Sequence, residues 1–419
     1  MQTLPPQPSI PGTALRWFWL LASPLGASAL TSAAALLGSA LLYRVLPGPV
    51  AGAFALLTAF IQTVLILGGM GQFTLTLRLY SRAEPGAYRW QADLGLQALF
   101  TLLPSALLTL LIALLYQLPA RDAIFLLTAA MLWGTVSSLG SMLASQRRYM
   151  MGLALPRTPN ALMLIPALTV VAVPALGTLP MLLVGQVLAV AAAAGIGWAT
   201  MARLQTRGVR TIDLRQRTFG LVFLATQSAT LVPDYLLLAA AGFVVPAEDL
   251  ALFAAVSLLF RPTQLLQNVL AQVLTTELAR SSQPRMRRVV ILFIVVSALI
   301  VAGGVLLVPA FVGAIYGGRY APTLALVGWI SLASGLDILD TLPRSYLIGR
   351  ASRRLLALFS GAQLMIAGVG LIIGVALIGQ LGIEGAAAGG ALIFVARSIV
   401  SYTGFFALRL RERARSSAA

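Results

Sequence analysis

The chain of 419 residues contains no cysteine, no histidine and no lysine, and only 12 acidic residues. Without cysteine there is neither a disulfide nor a thiol nucleophile. Without histidine there is no imidazole metal ligand, no Ser-His-Asp triad and no histidine proton relay. Any group that handles protons is therefore an Asp or a Glu. The missing lysine reads as compositional bias, because membrane orientation accepts either cation. Charged residues of all kinds make up 10% of the chain, against about 25% in soluble domains, so a water-facing surface cannot be assembled from it.

Apolar residues fill the gap at 59%. A hydrocarbon core about 30 Å thick needs about 20 mostly apolar residues per helix, and such spans are read near 24–43, 50–71, 94–116, 123–144, 160–176 and 179–201. A second set follows near 219–243, 250–273, 289–314, 321–342, 355–379 and 383–408. The expected fold is all-α and integral to the membrane, with about 12 transmembrane helices in two sets of six.

The net charge of +17 comes from 29 basic residues, all arginine. A nucleic-acid binder would cluster them on a hydrophilic domain, and there is none. They instead mark topology, because cations are retained on the cytoplasmic side. Even-numbered spans are followed by Arg78, Arg82 and Arg89, by Arg147, Arg148 and Arg157, and by Arg203, Arg207, Arg210, Arg215 and Arg217. The pattern continues with Arg280, Arg285, Arg287 and Arg288, then Arg344, Arg350, Arg353 and Arg354, then Arg409, Arg411, Arg413 and Arg415. Odd-numbered spans are followed only by Arg44, Arg121 and Arg319, with Asp122, Glu248, Asp249 and Glu384 on the same side. Both termini are expected in the cytoplasm.

The expected layout is a Pro-rich cytoplasmic leader without signal-peptide character over 1–22, a six-helix bundle over 23–202 and a cytoplasmic linker over 203–218. A second bundle over 219–408 and a basic tail over 409–419 complete it. The segment Gly52 to Thr58, running on to Arg82, has a loose counterpart in Ala251 to Ser257, running on to Arg280. Six spans of separation keep the same inside-outside sense, so the halves would be parallel repeats about an axis normal to the membrane.

Charges within spans are costly and usually face a cavity or a partner. Asp234 follows Pro233 and Arg261 precedes Pro262 in neighbouring spans, which suits either a cavity with a counter-charge or a structural ion pair. Asp337 and Asp340 share a face at i and i+3, a candidate proton or ion site unless Asp340 simply pairs with Arg344 at i+4. Arg397 is divided between the cavity and snorkelling toward the cytoplasm. Gln264, Asn268 and Gln272 line up with Arg261 at spacings of three or four, a polar stripe that suggests a wet lumen. Gln62, Gln97, Gln227, Gln267 and Gln363 also sit within spans and could bond either sugars or neighbouring helices. Small-residue runs at Gly26 to Ala29, Ala191 to Gly195 and Gly385 to Gly390 read as helix contacts. No phosphate-binding Walker loop is present, so ATP hydrolysis is unsupported, and no cofactor or metal site is expected.

Several stretches resemble the polysaccharide flippase branch of the multidrug/oligosaccharidyl-lipid/polysaccharide exporter superfamily. They are Gly52 to Arg82, Asp234-Tyr-Leu-Leu-Leu with Leu252-Phe-Ala-Ala-Val-Ser, Leu270 to Leu274, Ile315 to Leu324, and Gly382-Ile-Glu-Gly-Ala-Ala. Thr275-Thr-Glu277 stands where the family typically has a proline. The resemblance implies two six-helix bundles around a cavity that opens alternately to each side. It further implies, for a bacterial inner membrane, an undecaprenyl-diphosphate-linked oligosaccharide as cargo in O-antigen, lipopolysaccharide or exopolysaccharide biosynthesis. A polysaccharide polymerase and glycosyltransferases would then be the partners beside the lipid bilayer. Arg261 is the first headgroup candidate and Arg397 the second.

A proton- or sodium-coupled small-molecule exporter of the same superfamily is the alternative, with Asp234, Asp337 or Asp340 as ion site. A membrane glycan polymerase or ligase is disfavoured by the short outward loops and the absence of histidine.

Topology is testable because the chain brings no thiol of its own. Single cysteines at Ala120 and at Thr211 are expected to react with an impermeant maleimide from opposite faces of the membrane. Labelling of both from one face would remove the alternation.

Overall fold

In the computed structural model of the protein, residues 13–84, 87–204, 208–280, 286–316, 320 and 322–417 are described. The first half comprises α1 (Thr13–Val45), α2 (Gly48–Thr63) running into a π turn at Val64–Gly68, α3 (Gln72–Arg82), α4 (Trp90–Tyr116) and α5 (Ala120–Ser145). It ends with α6 (Tyr149–Ala154), α7 (Thr158–Leu162), α8 (Leu164–Ala172) and α9 (Leu179–Leu204). The second half begins with α10 (Leu214–Thr218), α11 (Gly220–Leu231), a π turn at Val232–Leu236, α12 (Leu237–Ala241) and α13 (Ala247–Leu259). It closes with α14 (Arg261–Arg280), α15 (Arg287–Tyr316), α16 (Leu324–Arg350), α17 (Arg353–Leu381) and α18 (Ile383–Ser417).

Each of the twelve apolar segments is helical. Eight form single helices long and apolar enough to span, and two bent pairs raise the count to ten. The remaining two are α1 and the short run α7–α8, where Pro156, Pro159, Pro166 and Pro174 repeatedly remove backbone donors. Helix α1 starts at Thr13, inside the segment expected as a leader, while residues 1–12 lie outside the described residues. Burial is graded as a lipid-solvated bundle requires. Only 17% of the apolar window is buried in α15 and in α17, against 61% in the span over Gly48–Gly68, so the former face lipid and the latter lies inside.

The two segments read as repeats, α2 and α13, pack directly against each other across the two halves. A methyl group on Gly52 would run into the Ala247 carbonyl, and one on Gly48 would meet Glu248. Around this contact Tyr43, Leu46, Ala51 and Phe54 join Val245, Leu250, Tyr316 and Tyr320 in one buried cluster. Small-residue packing is uneven. Gly385, Gly389 and Gly390 meet Leu377, Gly374 and Pro233, whereas Gly26 and Gly195 have nothing within 4 Å and are not contact sites.

The linker expected over 203–218 is held by the first half. Arg210 pairs in a β-bridge with Tyr88, the Arg89 amide donates to the Arg210 carbonyl at 2.7 Å, and the Ile212 amide donates to Asp93 Oδ1 at 2.7 Å. Arg217, fully buried, donates to Asp93 at 3.1 Å and to Gln72 Oε1 at 3.3 Å. The halves are therefore joined at Phe219–Gly220, where Gly71 lies against the Gly220 carbonyl with φ +69, a conformation that favours glycine.

Substituting Gly52→Leu is expected to lower stability by about 1–3 kcal/mol or more, since two backbones meet and neither can retreat. Thermal unfolding in detergent checks this; an unchanged midpoint would mean the two helices part freely.

Candidate functional site

Two bends create the site. The second half enters the membrane through two arms, Leu214–Ser228 and Val232–Ala241, that meet at 57°, and the second arm opens with the π turn that carries Pro233 and Asp234. The next span bends by 53° at Phe260, with Arg261 the first residue of α14 and Pro262 behind it. Both expected charges thus sit where a helix changes direction, because proline removes a donor and the local backbone must open. Around Asp234 the chain keeps its helical path by inserting a π turn rather than by ending the helix.

Asp234 and Arg261 do not form the ion pair that was one reading of their neighbouring positions. Both instead line a cavity of about 160 Å³ together with Tyr43, Tyr235, Ser334 and Asp337. A second cavity of about 270 Å³ lies between the halves, walled by Gln62, Trp133, Arg157, Asn160, Gln264 and Asn268 among others. Thr58, Tyr235, Arg261 and Gln264 belong to both walls, so Arg261 stands where the two spaces meet. Among the described residues Arg261 has no ion-pair partner.

The polar stripe of α14 is realised in part. Gln264 and Asn268 are exposed toward the cavity, and Asn268 donates back to the Gln264 carbonyl at 2.8 Å. The Gln272 side chain lies outside the described residues. Of the other amides, Gln97 donates to Ser138, Gln227 to Thr74 and Gln363 to Ser401, all helix contacts, while Gln62 faces the cavity.

Arg397 neither snorkels nor reaches a cavity wall. It is fully buried and grips both carboxylates of α16, with Asp340 Oδ2 at 2.7 Å and Asp337 Oδ1 at 3.1 Å. The expected Arg344–Asp340 pair is present at 3.6 Å, but Asp337 is not left alone, because Arg344 also lies 4.0 Å from it. Thr230 Oγ1 accepts from Arg397 at 2.7 Å and from Arg344 at 3.2 Å, which ties α11 to α16 and α18. Two cations and two anions so arranged neutralise one another and satisfy most donors, the condition for holding charge in a low-dielectric interior. Asp337 is the member that also reaches the smaller cavity, so the cluster forms the backing of its wall.

Sequence reasoning passed over Arg157, Asn160 and Trp133 as cavity residues. Arg157 carried only a topological signal, as one of the arginines between spans four and five. Its place on the same cavity wall as Arg261 comes from the broken path of α6 to α8, where its guanidinium donates to the Leu153 carbonyl at 2.7 Å and the Leu265 carbonyl at 3.4 Å. Thr230, the last of three hydroxyls in Thr226-Gln-Ser-Ala-Thr230, was not singled out.

No protein-family profile matches the chain, and no curated protein does. Solved structures do. A Vibrio cholerae MATE transporter, VcmN, solved as a point mutant, matches at 16% identity over 94% of this chain and 97% of that one, with TM-score 0.63. An outward-facing multidrug resistance MATE family transporter of the MOP superfamily matches at 15% identity over 96% and 99%, TM-score 0.60. A MOP superfamily transporter from Pyrococcus furiosus matches at 13% identity over 95% and 98%, TM-score 0.57. At such identities the likeness establishes a shared fold, twelve transmembrane helices in two bundles.

Replacing Arg397 by Ala leaves two buried carboxylates facing Arg344 alone and is expected to destabilise the protein by about 3–5 kcal/mol. Adding Asp340→Asn to that variant is expected to return part of the loss. Thermal unfolding of the single and double variants measures the coupling, and strictly additive effects would dissolve the cluster as a unit.

Proposed function

We propose that the chain is a transporter that carries a polyprenyl-diphosphate-linked oligosaccharide from the cytoplasmic to the periplasmic leaflet of a bacterial inner membrane. It does so by alternating access of its two bundles, in the assembly of a surface polysaccharide. The observation that carries this reading is the charge on the wall between the halves: Arg157 and Arg261, with no carboxylate among its described lining residues. A cationic wall repels a lipophilic cation and attracts a diphosphate, whose oxygens match guanidinium donors. Gln62, Asn160, Gln264 and Asn268 offer the glycan hydroxyls both donors and acceptors, and Trp133 offers an apolar face. Arg397 acts from behind, by fixing Asp337 at the edge of the smaller cavity. The lipid tail stays in the bilayer beside the seam between halves. The three fold neighbours named above are transporters, which supports this class of function.

A second reading is favoured by one observation. Asp234 and Asp337 face the smaller cavity together, and Asp234 has no ion-pair partner among the described residues. An exporter coupled to protons or sodium would use such carboxylates, as suits the multidrug resistance transporter among the fold neighbours. Efflux driven by an imposed proton or sodium gradient in vesicles, lost in Asp234→Asn, would establish it; no gradient-driven efflux would leave the lipid-linked cargo.

Arg261→Ala is expected to reduce surface glycan export about tenfold or more, the loss of a charge-assisted hydrogen bond, while membrane content is unchanged. Export at the parent level in a strain lacking the chromosomal copy would remove Arg261 from the site.

A further inference from the structure

On the arginine-rich side of the larger cavity the two halves are closed by an apolar layer. Leu77, Ala144, Tyr149 and Leu153 of the first half form one buried cluster with Leu265, Val269 and Val273 of the second. Beyond that layer α3 reaches across the seam to the end of α16. Buried Arg78 donates through Nη2 to the Ala351 carbonyl at 3.0 Å and through Nη1 to the Ile348 carbonyl. Arg82 donates to the Gly349 carbonyl at 2.8 Å, and Ser81 Oγ lies 3.5 Å from Thr276 Oγ1.

The acceptors explain the choice of residue. The last carbonyls of a helix have no intrahelical donor and carry the negative end of its dipole. A guanidinium satisfies several of them at once, and Phe219 and Phe223 flank Arg78 at 6.0 and 5.9 Å. Burial first, then Arg82 and Arg353, push Arg78 down to about 10, which leaves it a cation at neutral pH. Such bonds are exchangeable. Water can replace the arginine at the carbonyls and the carbonyls at the arginine, so separation strands no buried charge. The Arg217–Asp93 pair, with both side chains about 1% exposed, has no such escape and binds the linker permanently to the first half.

We propose that Arg78 and Arg82 are the latch of the gate on the arginine-rich face, closing the inter-bundle cavity by holding the carbonyl end of α16. The latch acceptors lie at the end of the same helix that presents Asp337 and Asp340 to the charge cluster, so the latch and the cluster are joined through one helix, with Pro343 between them. This inference rests on the two bundles moving apart during transport, and not on the identity of the cargo.

The test reads accessibility, so it is independent of whether a glycan lipid is moved. In the cysteine-free chain, Ser137→Cys places a single reporter on the cavity wall. Membrane vesicles with the arginine-rich face outward are treated with an impermeant maleimide. Combining Arg78→Ala with Arg82→Ala is expected to raise the labelling rate about tenfold or more, the weight of lost hydrogen bonds to a charged donor. Ser81→Cys and Thr276→Cys, oxidised to a disulfide in that background, are expected to bring the rate back to the parent value; after reductant the rate at position 137, read as the difference from the same variant with Ser137 intact, is expected to rise again. An unchanged rate in the double arginine variant overturns the latch. So does a rise that the disulfide fails to reverse, which would mean general loosening of the fold.

Discussion

Everything in the second half is arranged around charge that lipid will not solvate. Arg397 and Arg344 against Asp337 and Asp340 form a four-membered cluster, and it is stable only because three helices deliver its members and their shared acceptor to one point. Helix α16 supplies both carboxylates and one arginine, α18 the other arginine, and α11 the threonine that accepts from both cations. Any rearrangement of these helices must move the cluster whole or leave a bare ion in a low dielectric. The cluster therefore makes α11, α16 and α18 behave as one body.

Bends decide where that body meets the cavity. Pro233 and Pro262 belong to different spans, yet the π turn over Val232–Leu236 and the break at Phe260 bring Asp234 and Arg261 to a common wall. Neither residue is spent on the other. An arginine that has no ion-pair partner among the described residues, where two cavities join, is energetically tolerable only while the space around it is wet or filled by an anion, and the proposed binding role of Arg261 rests on that.

The contact between halves has a different character from the interior of each. Buried ion pairs lie within each half, Arg217 with Asp93 and Arg397 with the α16 carboxylates. Across the seam the halves meet through apolar clusters, through Gly52 on the Ala247 backbone and through arginines on helix-terminal carbonyls. These contacts need no matched counter-charge, so they can part and re-form. The covalent linker would not compete with the proposed motion, because Arg217 fastens it to Asp93 and leaves the crossover at Phe219–Gly220.

Composition and periodicity determined the solvent, the helical class, the approximate spans and the division into two sets of six, because a bilayer imposes length and apolarity on each segment separately. They also singled out Asp234, Arg261, Asp337, Asp340 and Arg397, since any charge within an apolar run is conspicuous. Tertiary structure decided what those charges do. Asp234 and Arg261 occupy neighbouring spans but are unpaired in space, and Arg397 turns inward to the α16 carboxylates instead of toward an interface. Arg157 and Thr230 could not be read at all. One looks like a topological arginine and the other like a filler hydroxyl, and their roles depend on how the Pro-broken fifth span folds and on which face α11 presents to α16. Local sequence sets what each helix can bury, but which polar groups share a wall depends on packing angles and bends, and these are settled only when all the helices are in place.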